Sequence, residues 1–197
     1  MDLDEELLEA WRGGDRAAGD ELVQRHFDAV CRFFRSKLGD DVEDLIQRTF
    51  LDCVESVERV QADNFRAYLF AVARNRLFDH LRRIQRRPPA TSLGETSVAD
   101  LGTSPSQQVA HGQQERLLLR ALRHIPVDFQ IALELAYWEG LTGPEIARVI
   151  GVSENTVRSR LSRARAELRR QVERLAARPE LAASTIEWLE KRLGTDG

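Results

Sequence analysis

The sequence predicts an all-α protein of two small helical domains joined by a flexible linker, the second containing a helix-turn-helix. Apolar residues recur at spacings near 3.6 over long stretches, the period of a helix with one buried face. Only 6 prolines and 12 glycines interrupt 197 residues. Residues 88–113 carry no Lys or Arg, are rich in Ser, Thr, Gly and Pro, and hold no sustained period, which marks a linker. The expected divisions are a first helical domain over 1–87, the linker over 88–113, a second helical domain over 114–176 and a helical tail over 177–197.

In the first domain, Leu38-Gly39-Asp40-Asp41 ends one helix and opens another, running from Asp41 to about Val57. On that helix Ile46, Phe50, Cys53 and Val57 share one face; Asp44, Gln47, Arg48, Leu51 and Glu55 share the opposite one. A leucine exposed beside Asp and Gln reads as a protein-docking face, or as a stray apolar residue on a solvated helix. A loop from Glu58 to Asn64 follows, then a helix from Phe65 to Arg87. Asn75, Asp79 and Arg82 form a polar stripe on it, and Tyr68, Phe70 and Phe78 are interleaved with arginines. Aromatic and basic residues together suit single-stranded nucleic acid, where bases stack on rings and phosphates meet arginine. The competing reading is that the aromatics are core and the arginines solvate a helix end.

The second domain is centred on Leu141 to Arg170. Pro144 suits a first helical turn, and Glu145 complements the positive end of the helix. Ile146, Ala147, Val149 and Ile150 give that helix its apolar side, and Gly151 allows the left-handed turn that ends it. Ser153 is a strong N-cap for the next helix, on which Val157, Leu161, Ala164 and Leu168 form a buried stripe. Arg158, Arg160, Arg163, Arg165, Arg169 and Arg170 lie off it. A second helix of this kind fits a DNA major groove. Pro179 stops it, and Leu181, Thr185, Trp188, Leu189 and Leu193 make a short amphipathic tail expected to pack back on the domain.

Composition narrows the function classes. Apolar content of 42% supports a core, and 31% charged residues suit a helical protein in water. No apolar run approaches the roughly 18–20 residues needed to span a bilayer. The acidic opening (Asp2, Asp4, Glu5, Glu6) is unlike a secretory signal, so a cytoplasmic location and no membrane partner are expected. Cys31 and Cys53 lack metal-ligand spacing and are expected inside helices; no metal and no cofactor are expected. Neither a nucleophile–base pair nor a glycine-rich phosphate loop is present, so no enzyme is expected. Net charge is −3, but unevenly distributed. Residues 1–64 hold 17 Asp/Glu and 8 Arg/Lys, residues 65–87 hold 7 Arg and 1 Asp, and Ser153–Arg174 holds 7 Arg and 3 Glu. Two basic patches in an acidic chain point to two nucleic-acid contacts and to docking on a basic protein surface.

The motifs together resemble one family. Asp44-Leu45-Ile46-Gln47-Arg48-Thr49-Phe50 resembles the polymerase-docking segment of bacterial RNA polymerase sigma factors. Phe65-Arg66-Ala67-Tyr68-Leu69, with Ala73-Arg74-Asn75, Asp79 and Leu81-Arg82-Arg83, resembles their promoter-melting segment. Ile125-Pro126, Glu139-Gly140-Leu141-Thr142, Glu145-Ile146-Ala147, Gly151-Val152-Ser153 and Thr156 to Arg165 resemble their second DNA-binding domain. The short two-domain chain is similar to the extracytoplasmic-function (group IV) sigma factors over about residues 5–175.

That resemblance makes 1–87 a region 2-like domain and 114–176 a region 4-like domain. It implies docking on core RNA polymerase through Asp44, Gln47, Arg48 and Leu51. It implies recognition of the melted promoter −10 element through Asn64, Arg74, Asn75, Asp79, Arg82 and Arg83. For the −35 element it implies Ser153, Glu154, Asn155, Thr156, Arg158, Ser159, Arg160 and Arg163, with Arg160 and Arg163 on phosphates that position without specifying. The implied partners are core polymerase, promoter DNA, and an anti-sigma factor or a Ser/Thr kinase. Two departures stand out. Many relatives carry an acidic residue where this chain has Arg48, and Gly143-Pro144 replaces a tyrosine-like residue and a helix former. Beside Arg48, Thr49 reads either as a phosphorylation site adding about −1.5 to −2 charges to the docking face or as a threonine tolerated at a helix–helix boundary. The alternative class is a stand-alone helix-turn-helix regulator, which would leave the Asp44–Phe50 and Phe65–Arg87 segments without a role.

Overall fold

The structure, a computed structural model, describes residues 3–56, 65–84, 93–99 and 112–193. Among them are α1 (Leu3–Arg12), α2 (Arg16–Leu38), α3 (Glu43–Glu55), α4 (Phe65–Ile84), α5 (Gln113–Arg123), α6 (Val127–Tyr137), α7 (Gly143–Ile150), α8 (Glu154–Leu175) and α9 (Pro179–Leu193). The described residues are all-α, apart from an isolated bridge between Ser97 and Pro126.

Local chemistry sets the helix boundaries. Asp15 caps α2 by accepting from the backbone N–H groups of Ala17 (2.9 Å) and Ala18 (3.3 Å), two of the donors a helix start leaves unpaired. Gly39, at φ +90°, ends α2 with a backbone turn that a side chain would strain. The N–H of Thr142 donates to Glu145 Oε2 at 2.6 Å, so Glu145 closes the start of α7 around Pro144. Gly151, at φ +71°, is the left-handed stop of α7. Ser153 Oγ then accepts from Thr156 N–H at 3.2 Å to open α8.

α1–α4 form the first helical unit, centred on Leu8, Leu22, Phe34, Leu69, Phe70 and Leu77, all fully buried. In the second unit α5, α6, α8 and α9 enclose Leu118, Ala121, Leu133, Ala164, Leu168 and Val172. The tail helix packs on α5 and α8 with Thr185 and Leu189 buried, as the sequence predicts, and Arg169 pairs with Glu190.

The two units are not apart. α7 lies along α4, α5 touches α2, and the apolar core of the first unit continues without a break into Val127, Ile131, Leu135, Leu141, Ile146, Val149 and Ile150. The linker is also more structured than its composition predicts. Leu93–Glu95 form a 3-10 turn, Val98 is fully buried in the shared core, and the chain pairs with the second unit. Val127 N–H donates to Thr96 O at 3.0 Å, and Ala99 N–H to Arg123 O at 2.9 Å. No helix among the described residues is long and apolar enough to cross a membrane.

Candidate nucleic-acid interface

On α3 the amphipathic wheel is realised among the described residues, Val57 lying outside them. Ile46, Phe50 and Cys53 are buried; Asp44, Gln47, Arg48, Leu51 and Glu55 face solvent. Leu51 is 50% exposed and neighbours exposed Val54. Arg48 Nε donates to Asp44 Oδ1 at 2.9 Å, so the Arg48 charge lies against the Asp44 carboxylate one turn away. Such an exposed i,i+4 pair is worth only about 0.3–0.5 kcal/mol and is easily exchanged for a partner.

Thr49 corrects an expectation. Its side chain is 0% exposed, and its hydroxyl donates to the Leu45 carbonyl at 2.7 Å. A kinase has no access to this hydroxyl in the folded helix. A phosphate there would place charge inside the domain, where an unpaired ion is strongly disfavoured. The helical wheel places Thr49 at the edge of the apolar face; packing against neighbouring helices closes that edge.

On α4, Asn75, Asp79, Arg82 and Arg83 are exposed, with Arg82 Nη1 donating to Asp79 Oδ1 at 2.6 Å. The interleaved aromatics resolve differently from the stacking expectation. Phe70 and Phe78 are buried in the core, leaving only Tyr68 partly accessible. Arg74 lies with its guanidinium 4.6 Å from the Phe78 ring centroid and donates to Asp128 Oδ1 on α6 at 3.2 Å. Asn64 and the rest of the loop Glu58–Asn64 lie outside the described residues.

On α8, Ser153, Glu154, Asn155, Arg158, Ser159 and Arg163 are exposed along one edge of the first turns, and Thr156 is half-buried. Internal contacts order that edge. Ser153 Oγ and Thr156 Oγ1 are 2.8 Å apart, Ser159 Oγ donates to Thr156 O at 3.0 Å, and Glu154 lies 3.6 Å from Arg158. Arg160 departs from the expectation of a free phosphate contact. Its side chain is 17% exposed and faces Asp128 Oδ2 at 3.4 Å.

The residues that hold the units together were not foreseen. Lys37, fully buried on α2, pairs with Glu134 on α6. Glu139, after α6, takes Arg32 of α2 at 3.3 Å and Arg66 of α4 at 3.2 Å. Arg123 Nη1 donates to the Lys37 carbonyl at 3.3 Å. A signal was present for one of these: Gln130 and Glu134, four residues apart in the largely apolar VDFQIALELAY, are polar groups that a buried helix must partner.

Two helical units, one containing a helix-turn-helix with an open edge, define a DNA-binding protein of the helix-turn-helix class. Residues 22–87 match the family described as sigma-70 region 2, and residues 115–168 that described as sigma-70, region 4. Over 170 residues the chain is 32% identical to the ECF RNA polymerase sigma factor SigM of Mycobacterium tuberculosis, covering 85% of this chain and 83% of that one. It is 27% identical over 182 residues to the ECF RNA polymerase sigma-E factor of Haemophilus influenzae, covering 87% and 96% of the two chains. Among solved structures it is similar to CnrH in complex with the cytosolic domain of CnrY, with TM-score 0.67 and 26% identity over 89% of this chain and 100% of that one. The chain belongs to the sigma-70 family, in its extracytoplasmic-function group of sigma factors, which direct RNA polymerase to promoters.

Proposed function

We propose that this chain recruits core RNA polymerase through the Asp44, Gln47 and Leu51 face of α3 and reads two promoter elements. In this reading Asn75, Asp79, Arg82 and Arg83 on α4 engage the melted −10 strand, together with Arg74 and Asn64. The start of α8 reads the −35 duplex, with Asn155, Arg158 and Ser159 at base edges and Arg160 and Arg163 on phosphates. The chain contributes recognition and strand holding, and the polymerase contributes the chemistry.

The observation that carries the reading is the open edge of α8. Glu154, Asn155, Arg158 and Ser159 are solvent-exposed on the first turns of a side-chain-capped helix, where a recognition helix meets base edges. The exposed α3 face, carrying a half-exposed leucine among polar groups, supports a second, protein partner. The relationship to CnrH, which was solved in complex with the cytosolic domain of CnrY, supports a further protein partner, for which the family resemblance implies an anti-sigma factor. Phosphorylation of Thr49 is not part of this reading, because the hydroxyl is buried.

The test is run-off transcription of sheared genomic DNA by purified core polymerase, with and without the protein. Discrete new transcripts are expected, and their aligned starts would give both elements. No transcripts and no core binding, alongside sequence-specific duplex binding, would replace this reading with a stand-alone regulator.

A further inference from the structure

We propose that Asp128 is an internal stand-in for a DNA phosphate, latching the two reading helices together while the chain is free. The inference rests on the assignment of Arg74 and Arg160 to nucleic acid. Arg74 on α4 and Arg160 on α8 belong to different units and to different predicted DNA contacts. Yet they meet on one carboxylate, Arg74 at Oδ1 (3.2 Å) and Arg160 at Oδ2 (3.4 Å). All three side chains are largely buried.

Two guanidinium groups gathered on one carboxylate cannot also reach phosphates a helical turn apart, about 34 Å along a duplex. The latched arrangement therefore excludes simultaneous engagement of separated promoter elements. Its chemistry also suits release. Arg74 Nε is buried with no hydrogen-bond partner, and Arg160 Nη1 faces Oδ2 at 3.4 Å as an ion pair without a hydrogen bond, so the carboxylate leaves hydrogen-bonding capacity that a phosphate backbone can take. The linker closes the latch: a Cβ placed on Gly94 would come within 2.3 Å of Asp128 Oδ2. Glycine at that position lets the chain lie directly against the carboxylate.

The latch leaves the polymerase-docking face open. Asp44, Gln47 and Leu51 are exposed while Arg74 and Arg160 are covered.

The experiment measures binding of the full-length protein, without polymerase, to a fluorescein-labelled random-sequence duplex at low salt, where phosphate contacts dominate. Asp128→Asn removes the charge. Gly94→Ala sets a methyl group against the Asp128 carboxylate and so disturbs the same contact with the carboxylate's charge kept. Both variants are expected to bind the duplex roughly five- to tenfold more tightly than wild type and to show a larger radius in solution scattering. Wild-type or weaker DNA affinity in both variants, with helical circular dichroism intact, overturns the proposal. Run-off transcription by the wild type, read separately, tests the sigma-factor assignment. A silent wild type with tighter duplex binding by both variants supports the latch and rejects that assignment.

Discussion

Lys37 of α2 and Glu134 of α6 form a buried ion pair across the junction of the two helical units. The ammonium also donates to Phe33 O at 2.8 Å and lies 3.9 Å from the Phe33 ring centroid. The carboxylate accepts from Gln130 Nε2 at 2.8 Å and Ser36 Oγ at 3.0 Å. Burial pushes the Lys37 ammonium below its ordinary pKa, and the Glu134 carboxylate opposes that shift. Removing one partner of such a pair leaves an uncompensated buried charge, whereas replacing both with apolar groups is often neutral. Glu134→Ala is therefore expected to cost about 3–5 kcal/mol. The double variant Lys37→Met with Glu134→Leu should regain most of that loss. Urea denaturation of the three proteins checks this; strictly additive losses would show that the pair is not a unit.

A second prediction concerns the packing of α1 on α2. Gly19 is buried, and a Cβ there would lie 2.7 Å from two atoms of the Trp11 indole. The ring is broad and packs against the core, so it cannot swing aside as a flexible chain end would. Alanine's better helix propensity, worth up to about 1 kcal/mol, is outweighed by overpacking of about 1–3 kcal/mol. Gly19→Ala should lower stability and alter tryptophan emission. A variant more stable than wild type would mean that the α1–α2 contact is looser than it is drawn.

The reach of the sequence can be judged from these same elements. The helix-turn-helix was legible because its signals are local: a proline in the first turn, Gly151 at the left-handed stop and Ser153 at the cap each act within a few residues. The exposed polar face of α3 was legible for the same reason. Burial set by another element was not. Thr49 lies at the edge of its own helix's apolar stripe, and only its neighbours decide that it is covered. Phe70 and Phe78 alternate with arginines, and nothing within α4 tells a stacking platform from a core face. The junction of the two units joins residues far apart in the chain, 73 positions for Arg66–Glu139 and 54 for Arg74–Asp128. No periodicity encodes partners at that separation. The linker composition likewise concealed Val98, a single apolar residue that finds a pocket only once both units are in place.

Acid sensitivity should trace to His26. Its ring is buried beside Asp4, with Nε2 2.6 Å from Oδ2, and 5.6 Å from the Phe65 ring centroid. Burial lowers its pKa below 6.5, Asp4 opposes the shift, and Arg66 and Arg25 reinforce it. A histidine with a lowered folded-state pKa binds fewer protons folded than unfolded. Stability is then fully present above pH 6.5 and falls as pH drops from 6.5 through the lowered folded value. His26→Gln should flatten the stability–pH curve just below pH 6.5. An unchanged slope in that window would assign it to another group.

Both thiols should be silent in the native protein. Burial and the neighbouring Asp52 charge push the Cys53 pKa up to about 12, and burial also raises that of Cys31. The thiolate is the reactive form, so almost none is present near neutral pH. A disulfide reagent at pH 8 is expected to label neither cysteine until denaturant is added, and then both. Rapid native labelling of Cys53 would mean that α3 opens from the core far more often than its packing implies.

The two helical units should fail separately when their exposed faces are altered. Arg158 is 75% exposed on the reading edge of α8 and makes only a long contact with Glu154, so its removal should leave the fold intact. If it reads a base, Arg158→Ala should weaken promoter recognition by about 1–3 kcal/mol. Binding to core polymerase should be unchanged. Asp44→Ala with Gln47→Ala should do the reverse. That pair also frees Arg48 from its hydrogen bond to Asp44, leaving a positive charge without the carboxylate one turn away that pairs with it. Core binding should therefore fall more than it would from either single change, while promoter selection by whatever holoenzyme still forms stays the same. Quantitative pull-down on core polymerase and run-off transcription from a single promoter separate the two effects. Should both sets of substitutions reduce only DNA binding, the α3 face is not the polymerase contact, and the first unit must be reassigned to DNA throughout.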